Sequence, residues 1–164
     1  MFAGVKRMEL TWYDLHHSEL NIQQLYEILA LRNRVFIVEQ QCPYEDIDGE
    51  DLVRDNRHIF ATGEGRLLAC ARLLTPVDDR SPVTIGRVIV TSEARGLQLG
   101  YRLMEQVLLS CQQHWPGRQQ ALSAQAHLQA FYMRMGFKSV GDIYLEDNIP
   151  HIAMVSQEPQ AGGA

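Results

Sequence analysis

The segment Arg95-Gly-Leu-Gln-Leu-Gly100 has the makings of an anion site. It follows a β-branched run, Val83-Thr-Ile-Gly-Arg-Val-Ile-Val90, and a short polar turn, Thr91-Ser-Glu-Ala94. It then opens directly into an amphipathic segment, Leu97 to His114. A loop entering a helix in this way aims free backbone N–H groups and the positive helix end at whatever lies in front of it, which is a phosphate cradle. Gly96 and Gly100 have no Cβ, so a bulky diphosphate can approach the backbone closely. The alternative is an ordinary strand–turn–helix connection with a glycine at each bend, and the glycine spacing alone does not separate the two.

A second concentration of chemistry lies in the N-terminal third. Leu31-Arg-Asn-Arg-Val-Phe-Ile-Val-Glu-Gln-Gln-Cys-Pro-Tyr44 leads into Glu45-Asp-Ile-Asp-Gly-Glu-Asp51, and six acidic residues lie between Glu45 and Asp55 against one arginine, Arg54. An EF-hand is excluded, because Gly49 is out of register with Asp46 and Asp48. Two readings stand. Arg32 and Arg34 form a buried ion-pair network with Asp46, Asp48 and Asp51, or the carboxylates face a ligand.

The elements that must position these groups follow from periodicity. Leu10-Thr-Trp-Tyr13 reads as a first strand. Asn21 and Gln24 form a capping pair. Ile22, Leu25, Ile28, Leu29, Arg32, Val35 and Phe36 recur at helical spacing, with Arg32 the one polar entry. His58–Thr62 and Leu67–Leu74 are strands around a Gly63-Glu-Gly65 turn. Val83–Val90 is the central strand, and Leu99, Leu103, Met104, Val107, Leu108 and Cys111 form the core stripe of the following helix, which Trp115-Pro-Gly117 stops. A strand over Leu122–Ala126 precedes a short helix, Ala130-Phe-Tyr-Met-Arg-Met-Gly-Phe137, with Gly136 as its C-cap and Phe137 starting a strand. Ile143–Leu145 and Ile149–Val155 close the chain as a hairpin around Glu146-Asp-Asn148. The fold class is α/β, of the α+β type, with a mixed, largely antiparallel sheet.

The order strand, Arg95-x-x-Gln98-x-Gly100 loop, helix, strand, Tyr132 helix, Gly136-Phe137, strand resembles the GNAT superfamily of acyl-CoA-dependent N-acetyltransferases. Its pyrophosphate motif is Arg/Gln-x-x-Gly-x-Gly/Ala. Arg95 and Gly100 match it, and Gln98 stands where the middle glycine usually is. With Gln125-Ala-His-Leu-Gln129 and Ile149-Pro-His-Ile-Ala-Met154, the chain closely resembles the ElaA family of bacterial GNAT-like proteins from about Met8 to Val155. The resemblance implies a central twisted sheet flanked by helices and acetyl-CoA as co-substrate, with no metal. It implies a cofactor site at Val88, Ile89, Val90, Arg95, Gly96, Leu97, Gln98, Leu99, Gly100 and Tyr132. A splayed strand pair would hold the pantetheine arm, with Val88 and Val90 as backbone partners. Tyr132 matches the superfamily tyrosine that protonates or hydrogen-bonds the leaving thiolate; its other reading is a core aromatic beside Phe131. An amine must be deprotonated to attack, and Glu39, His127 and His151 are the candidate bases. An unshifted imidazole titrates near neutrality, whereas Glu39 needs burial to raise its pKa. Glu39, Asp46, Asp48 and His151 are the expected acceptor residues, and their charge favours a cationic amine by steering. His16, His17, His58 and His114 read as structural.

Two other functions stay open. Arg32-x-x-x-Phe36 with Asp46-x-Asp48-x-x-Asp51 also resembles the autoinducer synthases, which use S-adenosylmethionine and acylated carrier protein, although those lack the Arg95–Gly100 loop and the Phe-Tyr-x-x-x-Gly-Phe helix. A non-catalytic acyl-CoA sensor is the other.

Length and composition bound the rest. The chain has 164 residues, 46% hydrophobic and 21% charged, which fits one ordered domain burying roughly 70% of its unfolded surface. The expected division is one domain over 8–155, an extension over 1–7 and a tail over 156–164. The net charge of −5 argues against nucleic-acid and anionic-membrane partners. Cys42, Cys70 and Cys111 form no Cys-x-x-Cys pair, which suggests reduced thiols in a cytoplasmic protein. No apolar run approaches membrane-span length. Homodimerisation is an open expectation.

Overall fold

The computed structural model describes residues 9–94 and 98–156. The extension over 1–7, all of the expected tail except Ser156, and Arg95, Gly96 and Leu97 of the loop lie outside the described residues. The elements run β1 (Thr11–His16), α1 (Ile22–Arg32) continuing into a π-helical stretch (Asn33–Glu39), β2 (Arg57–Gly63), β3 (Arg66–Leu74), β4 (Val83–Val90), α2 (Leu99–His114), β5 (Gln120–Gln125), α3 (Gln129–Arg134), β6 (Phe137–Glu146) and β7 (Ile149–Ser156).

One seven-stranded sheet orders them β1-β2-β3-β4-β5-β7-β6. The β4–β5 pair is parallel and the other registered pairs are antiparallel. This is the mixed, largely antiparallel α+β sheet that the pattern predicts. Alternation along β2 and β3 feeds two cores. Ile59, Ala61, Ala69, Ala71 and Leu73 join Leu99, Leu103, Met104 and Val107 of α2 on one face. Phe60 and Cys70 join Ile28 and Leu31 of α1 on the other. Strands buried on both faces read as nearly unbroken apolar runs, as His-Ile-Phe-Ala and Leu-Leu-Ala-Cys-Ala do here.

Local chemistry sets the ends. Asn21 Oδ1 accepts from Gln24 N at 2.7 Å and Gln24 Oε1 from Asn21 N at 3.0 Å, a reciprocal cap on α1. The β2–β3 turn places Glu64 and Gly65 at φ of 51° and 74°, the two left-handed residues of a tight hairpin. Asp147 and Asn148 do the same between β6 and β7, at 50° and 64°.

The structure departs from the pattern in two places. The helical stripe through Phe36 does not stay α-helical: α1 ends at Arg32 and the chain widens into a π-helix to Glu39, a form concentrated at functional sites. The separate strands expected at Phe137 and Ile143–Leu145 are one strand. Its register slips between Val140↔Ala153 and Tyr144↔His151, where Gly141 takes φ +77°. The exposed edge position of β6 removes the burial alternation that reveals a strand.

Candidate active site

The parallel pair β4–β5 holds only from Val83↔Gln120 to Ile85↔Leu122. Both strands continue, β4 to Val90 and β5 to Gln125, with no further registered pairing to each other. They splay into a cleft of about 1020 Å³ whose walls include Val88, Ile89, Val90, Ser123 and Gln125. That is at the upper limit of the range for small-molecule sites, roughly 300–1,000 Å³. β4 also carries a bulge. Gly86 faces Arg72 and Ile89 faces Cys70, so three steps on β4 span two on β3. Arg87, at φ +52°, is the strained residue. Neither β3 nor β5 registers a partner against Arg87 or Val88 among the described residues.

The cleft mouth lies at the start of α2. Gln98 precedes the helix in a left-handed conformation, φ 54° and ψ 27°. Gln98, Leu99 and Gly100 line the cleft. A Cβ built on Gly100 would sit 3.5 Å from Phe131 Cζ, ordinary van der Waals contact, so the fold itself does not demand glycine there.

One wall is pinned by a compact ionic lattice. Arg32 is 1% exposed. Its Nε donates to Asp46 Oδ2 at 3.0 Å and its Nη1 to Asp51 Oδ1 at 2.6 Å. Arg72 Nη1 and Nη2 donate to Asp48 at 2.9 and 3.0 Å, and Nη1 also reaches Asp51 at 3.1 Å. Arg87 Nε lies 2.8 Å from Asp46 Oδ1 but too bent for a hydrogen bond. Arg87 also rests over the Tyr44 ring at 5.7 Å. Burial opposes ionisation of Asp48, but the Arg72 hydrogen bonds, the Glu50 N–H and the arginine charges outweigh it and bring its pKa down to about 2. Asp51 is lowered in the same way against burial, by Arg32 and Arg72. Of the two readings of the acidic run, the structure shows the ion-pair network for Arg32. Arg34 does not join it. Arg72 and Arg87 do, and both line the cleft.

Acid–base groups meet in the same cleft. Tyr132 is 6% exposed and lines it. Burial pushes its phenol up to about 12, so it stays protonated at neutral pH, and no described residue hydrogen-bonds its hydroxyl. His151 is buried at the start of β7. Its Nδ1 donates to the Ile149 carbonyl at 2.7 Å, so in the neutral ring Nε2 is the nitrogen that carries the lone pair. Glu146 Oε2 lies 3.4 Å from that Nε2.

A family profile for the acetyltransferase (GNAT) domain matches residues 19–157. The chain is 53% identical over 152 residues to the protein ElaA of Escherichia coli K12, covering 93% of this chain and 99% of that one. The chain belongs to the GNAT family, in its ElaA branch. The crystal structure of E. coli ElaA superposes with a TM-score of 0.87 at 52% identity, covering 91% of this chain and 100% of that one. An acyl-CoA N-acyltransferase from Pseudomonas aeruginosa matches equally, at 0.87 and 50% identity, with the same coverage. A CoA-dependent acyl-homoserine lactone synthase shares the fold alone, at 0.74 and 15% identity over 93% of this chain and 85% of that one. As a GNAT protein the chain is an acyltransferase by family.

The GNAT fold distributes the residues singled out in the sequence unevenly. Val88, Ile89, Val90, Gln98, Leu99, Gly100, Tyr132, His127 and His151 all line the one cleft. His127 sits exposed in the 3₁₀ turn Ala126–Leu128. Glu39 is not brought to them. It is exposed at the end of the π-helix, on a smaller groove of about 320 Å³ with Arg34, Arg66 and Glu93. Asp46 is buried behind the wall, and Asp48 is partly exposed but held by Arg72 and Arg87. Sequence reasoning missed Arg87, although a Gly-Arg pair inside a β-branched run is a bulge signal. It also missed Arg72, Tyr44 and Glu146 as cleft residues. Among the described residues no cluster of His, Cys, Asp or Glu side chains is arranged to hold a metal, and no helix is long and apolar enough to cross a membrane.

Proposed function

We propose that the chain is an acetyl-CoA-dependent N-acetyltransferase that moves the acetyl group to a primary amine of a cationic small molecule or peptide, by direct attack in a ternary complex. The observation that carries this reading is a single cleft, its walls splayed strands and its mouth a helix N-terminus, lined by a protonated tyrosine and a histidine whose Nδ1 bonds a backbone carbonyl. Val88 and Val90 would bond the pantetheine arm, and the backbone from Arg95 to Gly100 would receive the diphosphate. The left-handed turn at Gln98 supports this, because it gives the loop the bend a glycine would. Tyr132 would donate to the departing thiolate. Of the three candidate bases, His151 has the strongest support: it is buried, it lines the cleft, and its Nδ1 is held by the Ile149 carbonyl. His127 lines the cleft without such support, and Glu39 borders the smaller groove. Asp46 and Asp48, their charge balanced by the arginines they hold, would shape the acceptor wall rather than bind the ammonium.

An amine library screened with acetyl-CoA, with free CoA as readout, tests the reading. Amine-dependent CoA release is the expected result. Tight acetyl-CoA binding with no release for any amine would favour the sensor, and release only with S-adenosylmethionine the synthase.

A further inference from the structure

The turn between β6 and β7 brings a carboxylate to the cleft that the steps above leave unused. Glu146 ends β6. Its Oε2 lies 3.4 Å from His151 Nε2 and 3.5 Å from Ser123 Oγ. Ser123 Oγ is itself hydrogen-bonded to the Tyr144 hydroxyl, and the Tyr144 ring stacks on the His151 imidazole at 6.3 Å. Glu146 is therefore aimed by β5 and β7 together, while 51% of its side chain stays exposed. No described residue bonds its Oε1.

Charge balance separates Glu146 from the other acids. Asp46, Asp48 and Asp51 face Arg32, Arg72 and Arg87, three carboxylates against three guanidiniums. Glu146 has no arginine or lysine partner among the described residues. Its neighbour is an imidazole, which is neutral whenever it is ready to accept a proton. Asp147 also lines the cleft, and its carbonyl is taken by the Cys42 thiol at 3.1 Å. The uncompensated negative charge at this end of the cleft thus belongs to the β6–β7 turn, not to the acidic run after α1.

We propose that Glu146 docks the ammonium group of the acceptor and sets its nitrogen against His151 Nε2, making it the residue that selects a cationic amine. This rests on the N-acetyl-transfer reading above. With the ammonium against Glu146, one N–H proton passes to His151 Nε2. The freed lone pair attacks the thioester carbonyl carbon, the C–N bond forms and the C–S bond breaks. Of the two protons the nitrogen loses, one leaves through His151 to solvent. The other replaces the proton that Tyr132 gives the thiolate.

The test compares wild type, Glu146→Gln and Glu146→Asp on two amine panels with acetyl-CoA. Alkylamines and polyamines are cationic at neutral pH; anilines and hydroxylamine are neutral there. Glu146→Gln should raise KM for the cationic panel by roughly tenfold or more, the scale of a lost charge-assisted hydrogen bond. The acetyl-CoA KM and the neutral panel should stay nearly unchanged, and Glu146→Asp should recover part of the loss. The half-exposed site makes loss of folding unexpected, and thermal melts of both variants check it. Equal losses on both panels, no loss on either, or a wild type active only on neutral amines would each overturn the role of Glu146 while leaving N-acetyl transfer standing. A wild type that acetylates neither panel would overturn the underlying reading, and Glu146 docking with it.

Discussion

Tyr132 packs edge-on against Phe131 and Phe137, with ring centroids 5.0 and 6.2 Å away, contacts that its ring makes without the hydroxyl. Its hydroxyl makes no such contribution, since no described residue bonds it. Tyr132→Phe should therefore fold normally and bind acetyl-CoA as wild type does. Its kcat should fall by ~10²-fold or more, the usual contribution of a positioned proton donor. Calorimetry and steady-state rates on the same preparation check this, and a fully active variant would make Tyr132 a core aromatic only. Gln98 is the converse case. A non-glycine residue in the left-handed region costs about 1–2 kcal/mol, so Gln98→Gly should melt higher than wild type. A lower melting temperature would mean that the glutamine side chain is holding the loop.

The ionic lattice couples α1, β3 and the β4 bulge to the loop after the π-helix. Asp46→Asn with Asp48→Asn leaves Arg32, Arg72 and Arg87 partly uncompensated near the cleft. Stripping a buried pair of one partner costs about 3–5 kcal/mol. A drop in melting temperature on the order of 10 °C should follow, with weaker binding of both substrates; a stable, kinetically normal variant would contradict this. Asp48 and Asp51 also predict the acid limb of stability. Both have folded pKa values below the unfolded one, Asp48 at about 2. Their contribution is present above about pH 4 and is lost as pH falls toward 2. Urea melts from pH 6 to 2 should show that decline, and a flat profile would not fit.

The same elements show what the sequence discloses. The strand, loop and helix around Gly100, the Asn21–Gln24 cap and the hairpin at Gly63–Gly65 were readable, because each is local chemistry over a few residues. The partner of Arg32 was readable only as an alternative, because Asp46 and Asp51 lie many residues away and a charge run looks the same solvated or buried. Arg72 and Glu146 gave no signal of their own. One is an interruption in an apolar strand and the other a turn residue, and only the sheet order brings both to the splayed pair.

Among the described residues, the fold forms a large cleft in which donor and acceptor would meet. It also leaves a thiol there. Cys42 lines the cleft, but burial and the Asp147 charge push its pKa up, so it is poorly suited to take the acetyl group itself. The acetyl group would then pass straight from CoA to the amine, and initial rates measured while acetyl-CoA and an active amine are varied together test this order of chemistry. Direct attack in a ternary complex predicts double-reciprocal lines that intersect. Parallel lines, with an acetyl group found on Cys42 by mass spectrometry, would contradict it.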